Sequence, residues 1–140
     1  MSQFNGMTLT DKGLALQSAV QSGLALHFTR VALGDGTLAD GADLRTLTAM
    51  IHSVLELPIV SVTPSSTGTA KLEVVLRNTG LAEGFFAREL AVFAQDTNGN
   101  EILYSYAYAG LNSDYIPAGG GADVVEYILT IYMVIGRATN

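Results

Sequence analysis

The chain has two histidines, His27 and His52, that could in principle do chemistry. A catalytic or metal-binding histidine needs a carboxylate or a second histidine at ligand spacing, and neither has one. His27 stands between Leu26 and Phe28 in an extended segment and points away from both, so we expect a solvated strand residue. There is no cysteine, and no Gly-x-Ser-x-Gly sequence marks a nucleophilic serine.

Two polar segments offer oxygen ligands for a metal ion. The candidate sets are Asp35, Asp40 and Asp43, and Asp96, Asn98 and Asn100. The second set has the Asp-x-Asn-x-Asn spacing of a calcium loop, but Glu101 stands where that loop needs glycine, and no bidentate glutamate follows. Gly34-Asp35-Gly36 lacks the later glycine and the Lys-Ser/Thr pair of a phosphate loop. We therefore predict no catalytic, metal-binding or cofactor-binding residues, and no enzyme.

The neighbouring charges Arg88 and Glu89 lie inside an apolar run, residues 84–94. A polar break containing Asn98-Gly99 and a second apolar run follow, which indicates an antiparallel hairpin. Because neighbours on a strand point to opposite faces, each charge should have its own partner, within the fold or across a subunit boundary. A sheet that is apolar on both sides must be covered on both, by its own chain or by another.

Three tyrosines alternate along the second run of the hairpin, Tyr104, Tyr106 and Tyr108. We predict that they share one strand face. Such rows occur at protein interfaces because tyrosine combines apolar area with a polar tip, and they also suit sugar binding. A row packed beneath a covering layer is an equal alternative. With Arg88 and Glu89, these tyrosines are the candidate protein-interface residues.

The elements that position these residues begin with a helix. Thr10 can cap it, Asp11 suits its positive end, Leu9 and Leu14 can form a hydrophobic staple, and Gly23 can end it. A strand over Leu26 to Leu33 changes parity near Thr29-Arg30, which predicts a bulge.

The sequence after residue 42 predicts a short helix and several more strands. A short helix is predicted over Asp43 to Met50, a strand over Ser53 to Val62 that Pro58 interrupts, and a half-solvated strand over Lys71 to Arg77. The last strand, Val124 to Ile135, is apolar on both parities, so we expect it to be central or to lie against a neighbouring chain. The fold class is α+β: about five to six mainly antiparallel strands, one N-terminal helix and a short second helix.

Composition favours one domain, residues 1–140, that associates with other subunits. Hydrophobic residues make up 49% of the chain and charged residues only 14%, so charges are too few to cover a monomer in the usual way. The net charge is −6 without a basic stripe, which disfavours nucleic acid and anionic membranes as partners. The N-terminus lacks the pattern of a secretion signal, so we expect synthesis in a cytoplasm without export.

Four stretches of the sequence follow one another as in a known family. They are Thr10-Asp11-Lys12-Gly13, Phe28 to Gly36, Gly84-Phe85-Phe86-x-Arg88-Glu89 with the hairpin through Tyr104, and Asp114 to Ala118. Over nearly its whole length the chain resembles the N-terminal domain of bacteriophage tail-collar fibre proteins.

The resemblance implies a structural virion protein that fixes a tail fibre to the phage baseplate and supports host attachment. It implies a homotrimer in the phage tail, made in the host bacterial cytoplasm, with baseplate proteins and a distal fibre protein as partners. The chain ends at Asn140, which leaves open an attachment module alone, an adaptor for another fibre protein, or a fragment. The alternative function is a small carbohydrate-binding β module that uses the tyrosine row.

Overall fold

The computed structural model describes residues 7–21, 26–64, 69–109, 113–119 and 126–134 of the chain. Its helices are α1 (Asp11–Gln21) and a short 3-10 helix (Leu44–Thr46). Its strands are β1 (Thr8–Leu9), β2 (His27–Gly34), β3 (Ser53–Leu57), β4 (Ile59–Pro64), β5 (Thr69–Arg77), β6 (Phe85–Ala87), β7 (Glu89–Gln95), β8 (Glu101–Tyr108), β9 (Asp114–Ile116) and β10 (Glu126–Val134). The prediction of a mainly antiparallel β-structure with one α-helix is confirmed, whereas the second helix is only a 3-10 turn.

The described residues form ten strands in three sheets, more than the predicted number of strands. The five-stranded sheet has the order β1-β8-β7-β2-β3, the three-stranded sheet the order β10-β5-β4, and β6 pairs with β9. The strand predicted from Ser53 to Val62 divides at Pro58 into β3 and β4, which join different sheets. Proline has no N–H for a ladder, so the chain changes sheets at this residue.

The two larger sheets pack face to face and enclose the main core. The three-stranded sheet contributes the buried side chains Leu72, Val74, Leu76, Leu129, Ile131 and Met133, and the five-stranded sheet contributes Val31, Leu33, Leu90, Val92 and Tyr104. In β5 the buried residues alternate with partly exposed ones, which confirms the predicted half-solvated strand. Burial of such apolar side chains is the main source of stability in a domain of this size.

The other face of the five-stranded sheet is covered by the chain itself. Residues 35–52, here called the covering segment, connect β2 to β3. Its partly buried side chains Leu38, Leu44, Leu47 and Met50 pack on Ala32, Ala91, Phe93, Leu103 and Tyr106 of the sheet. The doubly apolar hairpin is therefore covered on both faces within one chain.

Helix α1 lies close against β8. The Gly13 N–H donates to the Thr10 hydroxyl oxygen at 2.9 Å, which confirms the predicted cap, and this hydroxyl donates to the Leu103 carbonyl at 2.5 Å. A Cβ atom on Gly13 would overlap the Tyr104 carbonyl oxygen, so glycine allows the close approach. The predicted helix end at residue 23 lies outside the described residues.

The last strand, β10, is not central, so that part of its prediction is wrong. Among the described strands it pairs only with β5 and forms an edge of the three-stranded sheet. Leu129, Ile131 and Met133 point into the core, whereas the side chains of Ile128 and Tyr132 are exposed. The sequence is apolar on both parities because the inner side chains form the core and the outer face also carries Ile128 and Tyr132.

In the described part of the chain, no helix has the length and hydropathy that crossing a membrane requires.

Candidate functional site

Glu89, at the start of β7, is a fully buried carboxylate that accepts four hydrogen bonds. Its Oε2 accepts from the Gly36 N–H at 2.8 Å and the His52 N–H at 3.0 Å. Its Oε1 accepts from the Ile51 N–H at 2.7 Å and the Tyr106 hydroxyl at 2.6 Å. These bonds offset the cost of burying a charge and tie both ends of the covering segment to the sheet.

Arg88 lies between β6 and β7, and its backbone is held on both sides. Its N–H donates to the Gly34 carbonyl at 2.9 Å, and its carbonyl accepts from the Ala109 N–H at 2.8 Å. Its Nη1 donates to the Asp35 carbonyl at 2.8 Å. The prediction that Arg88 and Glu89 have different partners is confirmed, and the partners in the described residues belong to the same chain. No carboxylate within the described ranges forms an ion pair with Arg88.

The three tyrosines do not share one face, so that prediction is wrong. Between β7 and β8, Ser105 is opposite Val92 and Leu103 is opposite Phe93, which leaves Tyr104 as the extra residue of a bulge. Tyr104 therefore turns into the main core, where its ring meets Phe28 edge-on at 5.3 Å. A second bulge lies in β2 between Phe28 and Arg30, where the sequence predicts one.

The bulge leaves Tyr106 and Tyr108 beneath the covering segment. Tyr104 and Tyr106 are fully buried, like Glu89, so these three candidate interface residues present no surface in the folded chain. Burial raises the pKa of the Tyr106 hydroxyl, and its hydrogen bond to Glu89 raises it further, so it remains a donor. Among the candidate interface residues, only Arg88 and Tyr108 are partly exposed.

Arg88 and Tyr108 line an open cleft of about 630 Å³. The loop of residues 37–42 and Leu44 also line the cleft. The Leu38 N–H donates to the Tyr108 hydroxyl oxygen at 3.2 Å, which joins the loop to β8. We call this space the Arg88–Tyr108 cleft. It is the place where two of the candidate residues meet on the surface.

An exposed aromatic pair adjoins this cleft. Phe86 of β6 and Tyr115 of β9 are opposite each other in the ladder, with ring centroids 5.1 Å apart. They are 46% and 55% exposed, and the Arg88 guanidinium carbon lies 5.4 Å from the Phe86 ring centroid. Neither residue is among the candidate interface residues that the sequence predicts, although the dipeptide Phe85-Phe86 contains a signal. If Phe85 and Phe86 lie on one strand, one of their two rings must point outward.

A second exposed surface is the outer side of the three-stranded sheet. We define the outer β5–β10 face by the paired residues Arg77 with Glu126, Val75 with Ile128, Glu73 with Thr130, and Lys71 with Tyr132. Ile128 is 51% and Tyr132 62% exposed, and Arg77 donates to Glu126 at 2.9 Å. The face thus combines exposed apolar side chains with charges of both signs.

Three acidic residues of the two sets considered for metal binding, Asp35, Asp43 and Asp96, have other partners. Asp35 Oδ1 lies 2.6 Å from Nδ1 of the His52 ring, and the Asp43 carboxylate accepts a hydrogen bond from the Arg45 guanidinium. Asp96 Oδ1 accepts from the N–H groups of Asn98 and Asn100, both at 2.9 Å, and stabilises the hairpin turn. No group of three acidic or histidine side chains that could hold a metal occurs in the described residues.

Comparisons with protein-family models, with curated protein sequences and with solved structures find no match for this chain.

Proposed function

We propose that this domain is a structural part of a bacteriophage tail, in which it fixes a tail fibre to the baseplate as a homotrimer. The proposal starts from the resemblance of the four sequence stretches to tail-collar fibre proteins. The observation that carries it is the outer β5–β10 face, a two-strand surface with strongly exposed Ile128 and Tyr132. In a chain with so few charges, an exposed apolar strand face is typical of a surface that another subunit covers.

The charges of this face favour a second copy of the chain as its occupant. It carries two basic side chains, Lys71 and Arg77, and two acidic ones, Glu73 and Glu126. The face is therefore neutral, although the whole chain has a net charge of −6. Three copies whose neutral faces meet around a three-fold axis avoid the like-charge repulsion that their other surfaces would produce.

Two experiments test this function. Native mass spectrometry at micromolar concentration should show a trimer, and a stable monomer would contradict the oligomer proposal. Cryo-electron microscopy of assembled tails, with the domain density compared with this fold, should place three copies where a fibre meets the baseplate. Density at another place in the particle, or its absence from purified tails, would contradict the attachment role.

A further inference from the structure

We infer that the Arg88–Tyr108 cleft binds a carboxylate on a polypeptide segment of a partner protein, and that Phe86 and Tyr115 hold an apolar side chain beside it. This inference deepens the proposed attachment function, on which the choice of a polypeptide partner rests. The preference for a carboxylate rests on the geometry of the cleft.

Among the residues that line the cleft, Arg88 and Tyr108 both offer hydrogen-bond donors. Arg88 uses one of its guanidinium nitrogens, Nη1, for the Asp35 carbonyl. The other N–H groups of an arginine can match both oxygens of a carboxylate. The Tyr108 hydroxyl accepts from the Leu38 N–H and so still has its own proton to donate. A ligand at these two side chains should therefore be an acceptor, and a negatively charged one.

Arg88 is also held ready for such a ligand. Its backbone is fixed by the bonds to Gly34 and Ala109, and its side chain is anchored at Asp35 and is only partly exposed. A partly buried guanidinium without a paired carboxylate in the described residues gains more from an anion than a solvated one does. Binding therefore requires little further ordering of the Arg88 side chain, so the conformational-entropy cost of binding is small.

One acidic side chain at the cleft limits the charge of the ligand. Asp40 is exposed and lies in the loop of residues 37–42, which also lines the cleft. Its charge opposes a dianionic phosphate more strongly than a carboxylate with a single charge. The cleft therefore fits a carboxylate better than a phosphoryl group.

The aromatic pair distinguishes a polypeptide from a small free acid. Tyrosine, phenylalanine and arginine are the residue types enriched in the centres of protein interfaces. Gly84 has no side chain, and a Cβ there would overlap the Tyr115 hydroxyl, so the Tyr115 ring can lie over this position. A segment with an acidic residue next to an apolar one can use both the cleft and the rings.

Peptide titration followed by NMR of the ¹⁵N-labelled full chain tests the inference. The probes are acetyl-Leu-Glu-Leu-amide, its matched neutral form acetyl-Leu-Gln-Leu-amide, the phosphoserine form acetyl-Leu-pSer-Leu-amide, and sodium acetate. We expect the glutamate peptide to shift the Arg88 Nε–H and Leu38 N–H signals saturably. The affinity for the glutamine peptide should be lower by about tenfold or more, because this peptide lacks the charge-assisted hydrogen bonds.

Variants locate the site. Arg88→Gln should reduce the affinity for the glutamate peptide about tenfold or more, whereas Lys12→Gln, which removes an exposed cation on α1 that does not line the cleft, should leave it unchanged. Phe86→Ala should weaken binding of the peptide but not of acetate. If Arg88→Gln does not fold, Tyr108→Phe provides the second test. It keeps the ring, removes the hydroxyl group and with it the acceptor of the Leu38 N–H, and should weaken binding of the glutamate peptide.

Three results would overturn the inference: no saturable shift with the glutamate peptide, tighter binding of the phosphoserine peptide, or equal affinity for acetate and peptide. Each of these concerns the isolated chain in solution. They are therefore distinct from a failure to find the domain at the baseplate, which would contradict the proposed function and leave the carboxylate site standing.

Discussion

The Tyr106 hydroxyl donates a hydrogen bond of 2.6 Å to Glu89, and both residues are fully buried. Together they form the contact through which the sheet holds the covering segment, because Glu89 also accepts three backbone N–H groups from that segment. The pair therefore couples the Glu89 carboxylate to the position of the covering segment, whose residues 37–42 line the Arg88–Tyr108 cleft.

Replacing Glu89 should loosen the covering segment. In Glu89→Gln the amide NH₂ must face donors in place of one carboxylate oxygen, so we expect the free energy of unfolding to fall by about 2–4 kcal/mol. Urea denaturation measures this loss, and hydrogen exchange at the Gly36, Ile51 and His52 amides should show where it occurs. Glu56→Gln, at an exposed position of β3, is the matched control and should change little. Unchanged exchange at the three amides would contradict the role of Glu89.

Gly13→Ala should destabilise the domain although alanine is the better helix former. The added methyl group would overlap the Tyr104 carbonyl oxygen, and we expect a net loss of about 1–3 kcal/mol. Gly80→Ala is the control, since a methyl group there meets no atom within 4 Å. Thermal unfolding of both variants checks the prediction. Equal stability of the two would show that α1 does not approach β8 this closely.

The His52 ring should titrate above its ordinary range. Its hydrogen bond to Asp35 and the charge of that carboxylate raise the pKa of His52 above 6.5, and Glu89 contributes in the same direction. Because the folded pKa is raised, the stabilisation is fully present below pH 6.5 and is lost as the pH rises through the folded pKa. NMR titration of the ring should show the raised value.

Asp35→Asn is the matched test of that pH dependence. It keeps the backbone carbonyl that Arg88 binds, removes the charge, and should return the His52 pKa toward 6.5. The decline in stability as the pH rises above 6.5 through the folded pKa of His52 should become smaller in the variant. An unchanged His52 titration would show that Asp35 is not its partner in solution.

The outer β5–β10 face should control the oligomeric state. In the double variant Ile128→Ser with Tyr132→Ser, we expect the trimer to dissociate, with a change in monomer stability of about 1 kcal/mol or less since both side chains are exposed. Leu14→Ser removes an equally exposed leucine from α1 and should leave the trimer intact. Sedimentation velocity measures both. Dissociation by Leu14→Ser alone would place the interface elsewhere.

The sequence by itself determined the features that depend on neighbouring residues. The Thr10 cap, the bulge near Arg30 and the alternation of β5 all follow from side-chain periodicity or local hydrogen bonding, and the structure confirms each of them. The separate partners of Arg88 and Glu89 also follow from local structure, because the side chains of neighbours in an extended chain point to opposite faces.

Only the tertiary structure decided which surfaces are covered and which remain open. The bulge at Tyr104 divides the tyrosine row, β10 lies at an edge, and the chain's own covering segment shields the five-stranded sheet. Three of the four donors to Glu89 are backbone amides, which every residue but proline carries, so no residue type marks them in the sequence. Such contacts join residues far apart in the chain, and local patterns do not encode them.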